Sequence, residues 1–266
     1  MAASVSTRRG LGVTAGLDPT LARDIAAHAE QLGYHSLWSN DEPTAPGLHT
    51  LAEFAAATAN VELGVGVLPL HRYQPTEIAV EIDRLGLDPA RLWLGIGSGA
   101  LSRQIDALER AVAELRTLLP DSTRVMVAAM RPRLCRLGGA IGDGVLLNWM
   151  LPAQAARARE WVREGAAEQG RAAPIVASYV RVALGPDARR RLHAEEGVYR
   201  TINEAHRKHF AAMDVRIGSV GIAASRRSEL LETLAGYHSA LDLPIVRVLA
   251  DADASSIGAV SHAAAP

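Results

Sequence analysis

Residues 61–70 read VELGVGVLPL, and apart from Glu62 no position in them is charged. A strand points alternate residues to opposite faces, so this one is apolar on both. Such strands lie in parallel sheets covered by helices on each face. Residues 144–149, GVLLNW, have the same character. Each run is followed by helical sequence opening on a proline, Pro75 and Pro152, where a missing N–H costs nothing at a first helical position.

The alternation extends in both directions. Strands are predicted at Leu11–Ala15, Ser36–Ser39, Val61–Leu68, Arg91–Gly97, Arg124–Ala129, Gly144–Trp149, Pro174–Leu184 and Pro244–Ala250. Helices are predicted after Asp18-Pro19-Thr20, where an acidic cap precedes proline, and at Leu48–Thr58, Pro75–Leu85, Ser102–Leu119, Pro132–Ala140, Pro152–Gln169 and Arg226–Leu241. Pro186–Met213 reads as a long polar helix broken near Gly197. Eight such units in about 250 residues predict a single-domain α/β chain, a (β/α)8 or TIM barrel, ahead of a doubly wound open sheet. The barrel is expected over residues 10–252, after a short arm at 1–9 and before a loose tail at 253–266.

Composition narrows the chemistry. The chain has 266 residues and a net charge of −1, with no basic excess for nucleic acid or an acidic membrane. Its apolar runs are much shorter than the roughly 20 residues of a membrane span, and residues 1–10 carry no apolar segment of a secretory signal. A cytoplasmic location is expected. The single cysteine, Cys135, excludes an internal disulfide and reads as a buried structural thiol. Forty-eight alanines favour helix. The single lysine, Lys208, lies in a polar stretch that reads as a solvated helix, which argues against Schiff-base and pyridoxal-phosphate chemistry.

Barrel enzymes carry their chemistry at the carboxyl ends of the strands. Those positions here hold Asn40-Asp41-Glu42, Pro69-Leu70-His71-Arg72, Gly97-Ser98-Gly99, Met130-Arg131-Pro132-Arg133, Asn148-Trp149 and Asp251. Gly95–Ala100 fits G-x-G-x-x-A, but the next strand ends in Ala129-Met130 with no carboxylate for a ribose, so a Rossmann reading is weak. The glycines serve either a tight turn or the approach of a planar ligand to backbone N–H groups. Arg131 and Arg133 at a helix start form either a phosphate cradle or two solvated side chains. Asp41 and Glu42 offer a hydrogen-bond acceptor and a proton-transfer group, or simply cap a loop. His206-x-x-His209 reads as surface. His71 alone among the nine histidines stands at a strand end, and the H-x-H spacing of metal-dependent barrel hydrolases is absent, so no metal is expected.

Several stretches together resemble the luciferase-like (bacterial luciferase-type) flavin and deazaflavin oxidoreductases, especially the branch using coenzyme F420. They are LARDIAAHAEQLGYHSLWSND (21–41), VELGVGVLPLHRYQP (61–75), RLWLGIGSG (91–99) and RVMVAAMRPRLCRLGGAIGDGVLLNW (124–149), followed by VREGAAEQGR and SYVRVAL. The C-terminal third matches only loosely.

The resemblance implies a barrel that binds coenzyme F420 or FMN, and hydride transfer to or from a small organic substrate. The luciferase-type monooxygenases and a non-catalytic flavin-binding barrel are the alternatives. It implies a homodimer and a cis peptide at Gly66–Val67, forming a ledge behind the ring. Asp41, Pro69, Ser98, Gly99, Met130, Arg131 and Asn148 match cofactor-contacting positions, and Gly97 and Ala129 lie beside them. Where many relatives have a proton-donating histidine, this chain has Glu42, the candidate for proton transfer beside Asp41. Where some have a glutamate it has Ala100. The chain is also shorter than typical members. Leu119 to Arg124 leaves little room for the segment that often covers the substrate, so the resemblance implies an open site or a large substrate.

Overall fold

A computed structural model describes residues 8–266. Residues 1–7 of the expected arm lie outside the described residues. The strands are β1 (Gly10–Val13), β2 (Ser36–Ser39), β3 (Glu62–Pro69), β4 (Leu92–Gly97), β5 (Arg124–Ala128), β6 (Gly144–Asn148), β7 (Ile175–Leu184), β8 (Ile222–Ala224) and β9 (Leu243–Val248). All pairings between these strands are parallel. Strands β1 to β6 pair in sequence, β6 pairs with β7, β7 with β9, and β9 closes on β1. This is a closed eight-stranded (β/α)8 barrel.

The ninth strand, β8, is extra to that circuit. β7 outruns β6, and its last residues, Val182–Leu184, pair with β8 instead. Three residues, Ile-Ala-Ala, carry too short a pattern to be read as a strand in advance.

Helices α1 (Pro19–Gln31), α2 (Gly47–Ala57), α3 (Pro75–Arg84), α4 (Gln104–Leu118), α5 (Pro132–Ile141) and α6 (Pro152–Glu168) follow β1 to β6. Asp18 caps α1 by accepting from the N–H groups of Thr20 and Leu21. The polar stretch after β7 forms α7 (Ala188–Ile202) and α8 (Glu204–Met213). It breaks at Asn203, not Gly197: the Asn203 side chain accepts from the His206 N–H and caps α8. α9 (Arg227–Ala240) precedes β9.

The tail expected to be loose is instead α10 (Ala254–Ala263), capped by Asp253. Ile257, Val260 and Ala263 are buried. Arg9 donates to the carbonyls of Ala264 and Ala265, and the Tyr34 hydroxyl donates to that of Ser261, so α10 and the residues after it are tied to the segments leading into β1 and β2.

The main core lies between barrel and helices, and Cys135 is fully buried in it. A second cluster fills the barrel itself: Trp38, Trp93, Met126, Leu146, Tyr179 and Ile245. Below it, at the amino ends of the strands, Glu62 accepts from Trp93 Nε1 at 2.6 Å and Arg124 Nη1 at 2.9 Å, and faces His35 Nε2 at 3.1 Å. Burial alone would raise this carboxyl, but the bonds from His35 and Trp93 and the charge of Arg124 hold it below its ordinary value. A carboxyl depressed on folding stabilises above its unfolded pKa, about 4.3, and that stability is lost as pH falls through the folded value. Denaturation below pH ~5, through the unfolded value and down past the folded one, should therefore show less loss of stability for Glu62→Gln than for the parent.

Candidate active site

At the carboxyl mouth, β2 delivers Asp41 and Glu42. Glycine Gly47 opens α2 so close to this turn that a Cβ there would lie 2.5 Å from the Asn40 carbonyl oxygen. The tight approach lets the Asp41 carboxylate accept from the Gly47 N–H at 2.8 Å. It also accepts from the Tyr73 hydroxyl at 3.2 Å and pairs with Arg72. The Asp41 side chain is only 1% exposed. Burial raises its pKa, against the Gly47 bond and the Arg72 charge. Asp41 thus already has three donors, and two of them, Arg72 and Tyr73, were not singled out in the sequence.

Glu42 sits beside it, part-buried. Its Oε1 accepts from Asn40 Nδ2 at 2.8 Å and from Thr14 Oγ1 at 3.5 Å. Oε2 takes part in neither bond. A short bridge between Glu42 and Ala45 holds the loop.

The Gly66–Val67 bond is cis, as the family resemblance implied. The β3–β4 register shifts between Gly66 and Leu68, and Pro69 pairs with Gly97. Val67 is half-buried against the barrel-filling cluster, and a Cβ on Gly97 would lie 3.2 Å from its side chain. Gly99 has φ +59°, a conformation that glycine adopts freely. His71 lies over Gly99, 1.8 Å from where a Cβ would be, so this turn is occupied by a side chain from the loop after β3. Ser98 is buried.

Beyond β5, Arg131 caps α5 and Pro132 takes its first position. A groove of about 440 Å³ runs between the starts of α4 and α5, lined by Ser102, Arg103, Gln104, Asp106, Arg131 and Arg133, with Arg103 facing Asp106 at 3.9 Å. Of its three guanidiniums, those of Arg131 and Arg133 face no carboxylate in the groove among the described residues, and with the two helix starts they form a donor set suited to a phosphate. The residues present fit the phosphate end of a flavin or deazaflavin. Met130 is part-buried nearby, whereas the Ala129 side chain packs into the outer core, leaving only its backbone for a ligand.

Asn148 ends β6 and accepts from Arg181. The Arg181 guanidinium lies 4.0 Å from the Trp149 ring and 5.1 Å from that of Tyr199. Trp149 holds φ +53°, and the His209 ring nitrogen is 2.7 Å from its carbonyl oxygen. His209 is therefore buried and His206 half-buried, not surface residues as their polar helix suggested. The α7–α8 pair covers this side of the mouth. The short Leu119–Arg124 turn lies at the opposite, amino end of the barrel, where Arg124 meets Glu62, so it has no bearing on access to the site. Among the described residues no cluster of three His, Cys, Asp or Glu could hold a metal ion. No helix there is long and apolar enough to cross a membrane.

The family model for luciferase-like monooxygenase matches residues 1–110 and 109–242. The chain belongs to that family. Among curated luciferase-like relatives is an F420-dependent glucose-6-phosphate dehydrogenase from Beutenbergia cavernae, 30% identical over 51% of this chain and 55% of the relative. The chain thus spans about half the length of that protein. Solved structures with the same fold include an F420-dependent secondary alcohol dehydrogenase in complex with an F420–acetone adduct, with TM-score 0.78 and 17% identity, covering 97% of this chain and 96% of that one. They also include a type II Baeyer–Villiger monooxygenase from Pseudomonas putida in complex with FMN, with TM-score 0.68 and 15% identity, covering 97% and 98%.

Proposed function

We propose that this chain is an oxidoreductase that transfers hydride between coenzyme F420 and a small organic substrate at the carboxyl mouth of its barrel. The observation that carries the reading is the Arg131–Arg133 groove at two helix starts, beside the Gly97–Gly99 turn and the Val67 ledge. The F420-dependent relative supports the choice of deazaflavin. A homodimer in the cytoplasm belongs to the same reading. The FMN-containing structural neighbour and the family description favour, as a second reading, an FMN-dependent monooxygenase.

The deazaflavin, when bound, supplies the carbon that gives or takes the hydride. The protein's part is binding and proton handling. Arg131, Arg133 and the first N–H groups of α4 and α5 bind the phosphate. The Gly97–Ser98–Gly99 turn admits the ligand to the backbone once His71 moves aside. Gly66, Val67, Pro69, Met130, the Ala129 backbone and Asn148 would hold the ligand's ring. Asp41 holds Arg72 and Tyr73 at the ring edge. Glu42, whose Oε1 accepts from Asn40 Nδ2, would move a proton through Oε2.

Fluorescence titration with oxidised F420 and with FMN tests the reading. F420 is expected to bind preferentially, and Arg131→Ala to weaken it by about tenfold or more, the loss of one charge-assisted contact. Preference for FMN moves the reading to the monooxygenase, and binding of neither overturns it.

A further inference from the structure

In the register of β7 and β9, Arg181 stands directly opposite Arg247. Two residues earlier on each strand, Tyr179 and Ile245 lie in the barrel-filling cluster. By the two-residue period of a strand, both arginines face into the barrel, one layer nearer the mouth. Like charges opposite each other on neighbouring strands are destabilising, and buried cations are normally paired with a carboxylate.

Neither arginine has such a partner among the described residues. Arg181, 3% exposed, gives Nη1 to the neutral Asn148 side chain and its faces to Trp149 and Tyr199. Its Nε is buried without a partner. The Nη1 of Arg247 reaches only the carbonyl of Val248, at 3.1 Å. Glu195 of α7 contributes attraction to Arg181 from beyond ion-pair distance. A cavity of about 200 Å³ opens beside Arg247, with Thr14, Leu249 and Glu195 on its walls. It is large enough for a phosphate or carboxylate group.

We propose that the Arg181–Arg247 pair is the subsite for an oxyanion, phosphate or carboxylate, carried by the substrate. Arg247 makes the contact from the cavity wall. Arg181, fixed between two aromatic faces and Asn148, is a positioning residue that adds a second positive charge beneath it. The missing counter-ion of the pair is then the ligand. The proposal rests on the reading that substrate enters this mouth, with the cofactor's phosphate held at the β5 end, across the barrel from β9.

Inorganic phosphate and acetate, titrated against the whole chain, test it by tryptophan fluorescence and thermal melting. Both anions should bind the parent and raise its melting temperature. Arg247→Met should weaken phosphate binding at least tenfold, the loss of a charged hydrogen bond. Without anion it should melt no lower than the parent, because it relieves a like-charge pair. Glu195→Gln, on a part-exposed helix position, should tighten phosphate binding several-fold by removing a competing carboxylate. Absence of anion binding to the parent would overturn the proposal, as would equal binding by the parent and both variants. In Arg131→Ala, whose β5 groove is weakened for phosphate, displacement of the remaining bound phosphate by F420 would also overturn it, since the site would then be the cofactor's. Phosphate binding through Arg247 in a chain that binds neither F420 nor FMN would uphold this subsite while removing the redox reading.

Discussion

Replacing Gly139 by valine is expected to cost about 3 kcal/mol or more and to lower the urea midpoint accordingly. Gly139 sits on α5 where it meets α6, and a Cβ there would lie 2.0 Å from the carbonyl oxygen of Val162. The reverse contact is equally close: a Cβ on Gly165 would lie 2.0 Å from the carbonyl oxygen of Arg136. Each glycine lets one backbone rest on the other, so an added side chain has no flexible neighbour to displace. The helices must separate, and the apolar contacts of Cys135, Ala158 and Val162 around the seam loosen with them. Gly258 on α10 supplies the contrast, with nothing within 4 Å of an added Cβ. Gly258→Ala should stabilise by roughly 0.5–1 kcal/mol, because alanine loses less backbone entropy in a helix. Equal effects at the two sites would show that the α5–α6 seam is not closed as described.

Glu42→Gln should leave F420 binding within about twofold and lower turnover by roughly 10²–10⁴-fold, the range for losing a positioned proton-transfer group. The assay is steady-state kinetics on whichever substrate the parent oxidises, beside the fluorescence titration. The amide keeps the shape of the side chain and its acceptor toward Asn40 Nδ2, so the loop should stand. What it loses is the titratable Oε2. Asp41→Asn is expected to behave differently. Removing the charge leaves Arg72 without its carboxylate, and the melting temperature should fall as well as the rate. Full turnover by Glu42→Gln would remove Glu42 from the proton path.

The barrel was legible because its punctuation is chemical. Pro19, Pro75, Pro132 and Pro152 stand at first helical positions, and the strands before the last three of these are continuous apolar runs. What escaped was tertiary. Residues 254–263 are alanine- and serine-rich, with no charged face to oppose an apolar one, and become a helix because α1, β7 and β9 offer a surface to cover. His206 and His209 lie in polar sequence yet are drawn inward by Trp149 and Tyr199. At the site, the Gly97–Gly99 turn and the Arg131 helix start fall where the sequence put them and the cis bond where the resemblance implied it, but the pairing of Asp41 with Arg72 depends on how two loops meet. Arg181 and Arg247 did leave a trace. In SYVRVAL and PIVRVLA an arginine interrupts an apolar strand at an inward position of the two-residue period.

The clasp of Arg9 on Ala264 and Ala265 has a kinetic side. It joins residues 255 and 256 positions apart, and bringing such distant points together costs about 5 kcal/mol of chain entropy before any contact rewards it. During synthesis β1 emerges before every other strand of the barrel, yet one of its two neighbours, β9, is the last of them to be made. Until then the growing chain carries an open sheet whose first strand presents unpaired N–H and C=O groups to whatever it meets. The barrel is therefore exposed to self-association from the emergence of β1 until the arrival of β9 and α10 ends it.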